Sequence, residues 1–346
     1  MNDEAAARID RRRTTGTRIT APAADARATR TSMWDLTRGE WRLAQSSTPS
    51  RPASPPGSFF NDTPAEFRTA MNYRHSFHAG NSADVVKHSL LIALVQALQQ
   101  KEGGLTLIDT HAGCGLYDLV GEQARRTGEA TQGVLRVFTG SDPLLDDYRA
   151  AVLAVNIGGE PRLYPGSPLV LAERLRPQDA LILNEKHPED AAALRRAMRG
   201  TSAAVHERDA YELWLALLPT RTARGVVLVD PPYEQTDERA RITATLAAAH
   251  RKWAHGVTVI WYPLKDRATH QRWKADLRQL GIPKFLSVEH WLYDADEPGT
   301  YNGAGLFIVN PPYAFTQALP PLLAALRTAL APAGHQGAIT SDWLKV

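Results

Sequence analysis

Cysteine is almost absent from this chain: Cys114 is the single one among 346 residues. One thiol cannot make an intramolecular disulfide, so the fold must rest on its core, and a reducing, cytoplasmic setting is expected. No apolar run approaches the roughly 18 residues that span a bilayer, which argues against a membrane role. Neither a Gly-Lys-Ser/Thr triplet nor a three-glycine fingerprint occurs, so ATP phosphates and dinucleotides are not favoured ligands. Lysine is missing from the first 70 residues, where eleven Arg face eight Asp and Glu, a net +3. The other 276 residues balance 29 basic against 29 acidic groups. Affinity for nucleic acid must therefore come from a local patch, not from bulk charge.

What is present is enough for a real core: 43% hydrophobic residues and 22% charged ones. The length suits one large α/β domain with an insertion, or two domains. Residues 1–70 show neither helical nor strand periodicity, and 46–57 are low complexity, so a disordered N-terminal extension is expected there. Met71 opens a different texture, and 71–346 reads as the folded domain. Asn81 or Ser82 caps an amphipathic helix that runs to about Gln100, with Asp84 in its first turn. After the strand Leu105–Ile108 the rhythm breaks, and 118–163 reads as a small helical insertion. Strand and helix then alternate regularly through strands at 181–183, 203–206, 226–229 and 257–261. That alternation predicts a parallel sheet covered on both faces, a Rossmann-like α/β fold. A hairpin-like pair, 284–292 with 305–309, and a helix from Phe315 to Leu330 follow, and the last residues read as irregular.

The most informative stretch is Val226-Val-Leu-Val-Asp230-Pro231-Pro232-Tyr233. A buried strand stops on a carboxylate and two prolines, which cannot donate to a ladder and stiffen the turn. Strand ends of an open parallel sheet face the ligand crevice. A rigid loop there offers the Asp230 carboxylate, the Pro231 carbonyl and the Tyr233 ring: two acceptors for the N–H groups of an exocyclic amine, and a face on which a base can stack. Asp109-x-x-x-Gly113-x-Gly115 after an earlier strand lets backbone approach a nucleoside closely. Glu185 suits ribose hydroxyls, with a helix-capping or surface acid as the bland alternative. Asp209 suits an adenine amine, with an N-cap as its bland alternative. Four such groups at successive strand ends suggest S-adenosylmethionine beside an acceptor amine. Asn310-Pro-Pro-Tyr313 is a rival grip; since it follows a hairpin, it is expected to shape only the wall beside the site. His75, His78, His88 and His111 lack the cysteines or clustered ligands that zinc prefers, so no metal is expected. Cys114 lacks a partnering base and reads as a packing residue.

Together Tyr73-Arg-His-Ser-Phe-His-Ala-Gly-Asn-x-Ala-Asp-Val-x-Lys-His88, Asp109-Thr-His-Ala-Gly113, Tyr164-Pro-Gly-Ser-Pro168, Asp230-Pro-Pro-Tyr233 and Asn310-Pro-Pro resemble the bacterial RlmJ family of 23S ribosomal RNA adenine-N6 methyltransferases. The resemblance runs from about Met71 to the C-terminus. It implies a Rossmann-like methyltransferase domain with a small helical insertion. It also implies cofactor contacts from His88, His111, Ser167, Glu185 and Asp209, Asp230 as the catalytic acceptor, and Tyr73 as an RNA-contacting aromatic with Lys87 in the same motif. On that footing Tyr73, Arg74 and Lys87 are expected to hold RNA backbone at the mouth of the site. The expected function is S-adenosylmethionine-dependent N6-methylation of an adenine in 23S ribosomal RNA by a monomer. Its rivals are a DNA adenine methyltransferase and a non-catalytic ribosome-binding protein with a relic cofactor pocket.

Overall fold

A computed structural model describes residues 32–35 and 40–43 by backbone, and residues 78–293, 296, 301–331 and 338–346. Of 123 and 125 it describes the backbone alone. The disorder expected for 1–70 lies outside these residues, apart from one antiparallel pair that periodicity did not reveal. There β1 (Ser32–Asp35) runs against β2 (Glu40–Leu43), with Trp34 in register with Trp41. Four residues per strand are too few to show an alternation, although aromatic residues favour strands.

The remaining elements, in order, are α1 (Ser82–Gln99), β3 (Leu105–Asp109), β4 (Leu116–Asp118), α2 (Glu122–Thr127), α3 (Val134–Val137), α4 (Asp146–Leu153), β5 (Leu163–Pro165) and α5 (Ser167–Glu173). Then come β6 (Ala180–Asn184), α6 (Pro188–Ala197), β7 (Ala204–His206), α7 (Ala210–Ala216), β8 (Arg224–Val229), α8 (Glu238–Lys252), β9 (Val257–Pro263) and α9 (Arg267–Gln279). The chain closes with β10 (Phe285–Trp291), β11 (Gly303–Val309), α10 (Tyr313–Leu330) and β12 (Ala338–Lys345). Eight strands form one sheet in the order β12-β10-β11-β9-β8-β3-β6-β7. The five from β9 to β7 are parallel, and the three at the other edge are antiparallel. The fold is therefore α/β, as the alternation implied. The C-terminus departs from expectation: residues that read as irregular form β12, which pairs along the whole of β10. Only Leu344 of that strand is fully buried, so its sequence carries no apolar stripe to announce it.

The period-2 geometry of strands divides the core. Leu105, Leu107, Val226 and Leu228 pack on one side of the sheet, while Ile108, Val227 and Val229 pack on the other. Each fully buried side chain of this kind contributes about 1.5–3 kcal/mol. The first side is covered by α1, which is apolar nearly all round because α10, α4 and α5 enclose it against the sheet; such a helix belongs inside a protein. Asn81 caps it by accepting from the Asp84 N–H at 3.0 Å. On the base of the segment between β3 and α5, β4 and β5 form a separate antiparallel ribbon.

The second side holds a buried charge cluster on β10. Glu289 accepts from Lys274 Nζ at 2.7 Å, Trp291 Nε1 at 2.9 Å and Ser287 Oγ at 3.0 Å, and its Oε1 lies 3.0 Å from His270 Nε2. Burial alone would raise its pKa, but His270 and Lys274 outweigh that and hold it well below the usual carboxylate range. A depressed acid stabilises the fold above its unfolded pKa, and the benefit is lost as pH falls below about 4. Glu289→Ala leaves the buried Lys274 ammonium with only the exposed Asp342, 3.7 Å away, and is expected to cost on the order of 3–5 kcal/mol. Urea unfolding at neutral pH measures it, and a loss below about 1 kcal/mol would mean that the cluster contributes little.

Candidate active site

Because β3, β6, β7 and β8 are parallel, their carboxyl ends share one edge of the sheet. From β3 the chain first moves outward to β6 and β7, then returns to β8 on the other side. Such a reversal opens a crevice, since the two connections leave in opposite directions. A cavity of about 510 Å³ occupies it, lined by Gly113, Ser167, Glu185, Asp209, Asp230 and Tyr233 among others. This is large enough for a nucleoside-sized ligand.

On the β3–β6 side the loop ends are tied together. Asn184 Nδ2 donates to the carbonyls of Thr110 (3.0 Å) and Arg208 (3.1 Å), which binds three strand ends at once. Gly113 adopts φ +61°, and a Cβ there would lie 2.3 Å from the Tyr117 hydroxyl, so this turn requires glycine. Glu185 accepts from the N–H groups of Gly113 at 2.9 Å and His187 at 2.8 Å. Burial pushes its pKa up and those two donors pull it back. The carboxylate is thus held rigid at the cavity wall by one bond per oxygen, and each oxygen keeps a second lone pair.

Asp209 answers to its bland reading and still faces the cavity. It is the N-cap of α7, with Oδ1 accepting from the N–H groups of Tyr211 (3.0 Å) and Glu212 (3.3 Å). Its Oδ2 lies 3.4 Å from Lys186 Nζ and 3.3 Å from Arg241 Nη2. Ser167, at the start of α5, donates to Asp109 Oδ2 at 2.7 Å. Asp109 is fully buried; burial pushes its pKa up to about 7, against the pull of the Ser167 hydroxyl. His111 lines the same cavity, and burial depresses its pKa to about 4, so it is neutral at pH 7. His88 also lines it, with Nδ1 2.9 Å from the Tyr164 hydroxyl and the two rings stacked at 5.5 Å. Cys114 sits in the glycine turn, where burial raises its pKa to about 11, so it is not an activated nucleophile.

Across the switch point, β8 ends at Val229 and Asp230 follows at its carboxyl end. Lys87 is only 3% exposed and reaches Asp230 Oδ2 at 2.7 Å and Asp84 Oδ1 at 2.8 Å. This corrects the reading of Lys87 as an RNA-backbone contact: an ammonium buried on the inner face of α1 and paired with two carboxylates is not available to a phosphate. Burial works against the charged amine, but Asp230 and Asp84 overcome it and raise its pKa. Among the described residues no donor engages Asp230 Oδ1. Pro231 is buried, and Tyr233 takes φ +55°, a conformation rare for such a residue. The Tyr233 hydroxyl donates to the Trp261 carbonyl at 2.7 Å, and its ring leans on Trp261 and Trp273 with centroids 6.0 and 6.5 Å away. Its orientation is set before any ligand arrives.

The rival loop is not beside the site at all. β11 is antiparallel to β9, and Val309 pairs with Thr258 at the start of β9, so Asn310 lies at the opposite edge of the sheet. Its amide donates to the carbonyls of Ala254 (2.6 Å) and Gly256 (3.0 Å). The expectation that Asn310-Pro-Pro-Tyr313 shapes the wall is therefore corrected by strand direction. Tyr73, Arg74 and His75 lie outside the described residues. Sequence reasoning missed Asp84, Lys186, Arg241, Trp261 and Lys265, all of which line the cavity. Of these only Asp84 left a trace, its i,i+3 spacing to Lys87 on one helix face.

Comparison with known proteins places these residues in a family context. The model of the family described as "Ribosomal RNA large subunit methyltransferase D, RlmJ" matches residues 102–345. The ribosomal RNA large subunit methyltransferase J of Escherichia coli is 38% identical over 278 residues, covering 79% of this chain and 99% of that protein. Its namesake from Haemophilus influenzae is 36% identical over 280 residues, with the same shares covered. Among solved structures, protein LPL1258 from Legionella pneumophila aligns with a TM-score of 0.70 and 30% identity, over 77% of this chain and 98% of that one.

The buried Asp109 offers a test of the site's electrostatics. With its folded pKa raised from 3.8 to about 7, it keeps a proton in the folded state that the unfolded chain releases. Its contribution to stability therefore falls as pH rises between about 4 and 7. Asp109→Asn removes that slope, so its urea midpoint is expected to vary less over this range than the parent's. Parallel curves would show the carboxylate to be ionised throughout.

Proposed function

This chain belongs to the RlmJ family of large-subunit ribosomal RNA methyltransferases, and from that premise we propose that Asp230 holds the N6 amine of an adenine in 23S ribosomal RNA for methylation. The observation that carries the assignment is the Lys87–Asp230 ion pair at the switch point. It engages one carboxylate oxygen and leaves the other for a ligand, beside the carbonyl of the proline-stiffened Pro231. We read 71–346 as the methyltransferase domain and 118–163 as its inserted helical part.

When bound, S-adenosylmethionine supplies an electrophilic methyl group. The residues present fit such a nucleoside. Gly113 lets the backbone close in, the Glu185 carboxylate retains lone pairs for ribose hydroxyls, and Asp209 Oδ2 faces the cavity for an adenine amine. His88, His111 and Ser167 complete that half. Their hydrogen bonds within the protein fix them in place, so little ordering is left for the ligand to impose.

On the acceptor side, an adenine amine is a weak nucleophile because its lone pair is delocalised into the ring. Asp230 Oδ1 and the Pro231 carbonyl each accept one of its N–H bonds. That draws the nitrogen out of conjugation and aims its lone pair, a positioning effect of the kind that contributes most to two-substrate reactions. Lys87 fixes the carboxylate's rotamer while this happens. Asp230 is also the nearest base for the proton that the methylated amine must lose. The adenine has to leave its stack, at a cost of a few kcal/mol in a duplex, and stacking on Tyr233 offsets about 1–3 kcal/mol of it. Tyr73 and Arg74 are the proposed RNA contacts at the mouth. Family membership does not favour the DNA-methyltransferase reading or the non-catalytic one.

The test is nucleoside mass spectrometry of a 23S ribosomal RNA transcript incubated with the protein and labelled S-adenosylmethionine, with N6-methyladenosine the expected product. Asp230→Asn is expected to lower kcat by on the order of 10³-fold, whereas Asn310→Ala retains activity. If Asp230→Asn methylates at the parent's rate, Asp230 is not the amine's acceptor.

A further inference from the structure

One turn of α8 does something that neither the cofactor half nor the base half of the site requires by itself. The helix starts immediately after the Asp230–Asp237 loop, and Glu238 and Arg241 at its start line the cavity. Glu238, 4% exposed, accepts a short hydrogen bond from the Tyr211 hydroxyl. Arg241, one turn later on the same face, places its guanidinium 4.3 Å from the centre of the Tyr211 ring and 3.3 Å from Asp209 Oδ2. Tyr211 is thus gripped at both its hydroxyl and its face by the element that carries the base-binding loop. Tyr211 and Asp209 belong to the opposite, cofactor wall, and the Tyr211 ring meets the edge of His111 at 5.9 Å.

The charges support the same geometry. Asp209 Oδ1 is consumed by the cap of α7, so Oδ2 is the oxygen available to a ligand. Two cations share it at long range: Lys186, from the loop beside Glu185, and Arg241, from the α8 side. At 3.3–3.4 Å neither is a tight, saturating bond, and a ligand donor can join them. Arg241 has a second place to put its charge, the face of Tyr211, where a cation–π contact contributes about 0.5–1 kcal/mol or more when desolvated. A planar guanidinium serves both partners at once, which a lysine cannot do as well.

We propose that Arg241, with Glu238, is a clasp between the two halves of the site: by holding Tyr211 and Asp209 it fixes the Asp230 loop against the cofactor wall, so that cofactor and target RNA strengthen each other's binding. Arg241 is a positioning residue here, not a catalytic one. The inference rests on the methyltransferase reading, because the ligands being linked are that reaction's two substrates. Linkage is reciprocal, so it can be measured from either side.

The experiment is titration calorimetry of the full chain with S-adenosylhomocysteine, which cannot react, without and with a saturating 23S ribosomal RNA transcript. In the parent the RNA is expected to tighten binding by roughly tenfold. Arg241→Met keeps the bulk but removes the charge, and its ratio is expected to fall below about twofold; Arg241→Lys restores part of it. A purely structural effect of the methionine would weaken both titrations alike and leave the ratio unchanged, which would overturn the clasp. An RNA-independent affinity in the parent would overturn it too. Failure of the parent to bind S-adenosylhomocysteine at all would remove the methyltransferase reading, and the clasp with it.

Discussion

A lysine ammonium buried between two carboxylates is the constraint on which the site depends. Taking Lys87 out of water costs several kcal/mol by itself, and only Asp84 and Asp230 together make it tolerable. The consequence is mechanical. Asp84 belongs to the first turn of α1 and accepts from the Gly80 N–H at 2.9 Å, while Asp230 belongs to the far end of β8, 143 residues away from Lys87. One ion triad therefore joins the entry to the first helix with the loop that carries Asp230. The helix that carries Lys87 is enclosed by α4, α5 and α10, which keeps water from competing for the triad.

Each carboxylate of the site serves both fold and cavity. Glu185 staples the glycine turn to the following loop, Asp209 caps α7, and Asp230 anchors Lys87. For Asp230 the bond to Lys87 is carried by one oxygen; for Asp209 one oxygen caps the helix while the other is shared by Lys186 and Arg241; for Glu185 each oxygen accepts one backbone N–H. Structural and functional readings of these acids are thus not alternatives. The protein's own donors hold each group in a single orientation, the preorganisation that a two-substrate reaction needs. The aromatic wall works in the same way, since the bond from the Tyr233 hydroxyl to the Trp261 carbonyl fixes the ring's position.

Strand direction decides between two loops that look alike on paper. Asp230-Pro-Pro-Tyr233 and Asn310-Pro-Pro-Tyr313 both follow buried strands, and both open on a residue that can accept a hydrogen bond. β8 is parallel to β3 and β11 is antiparallel to β9, so the first loop opens on the crevice and the second on the opposite edge. Tyr233 and Asn310 even share a positive φ, +55° and +52°. In one place that strain turns an aromatic ring toward a cavity, and in the other it turns an amide toward two carbonyls of a neighbouring loop.

Local chemistry was legible in the sequence wherever it is carried by residues adjacent in the chain. The apolar run ending on Asp230, the Asn81 cap, the alternation of strand and helix, and the glycine turn at Gly113 all depend on short-range sterics and period. β12 was not legible, because a strand that buries one side chain shows no pattern. Nor were the pairing of Lys87 with Asp230 or those of Lys186 and Arg241 with Asp209, since these partners lie far along the chain or on another element. A lysine on a helix reads as solvated until packing shows what covers it. Sequence by itself determined the parallel sheet and the acids at its strand ends; tertiary structure alone decided which charges are buried together, since desolvation belongs to the assembled fold and not to any segment of it.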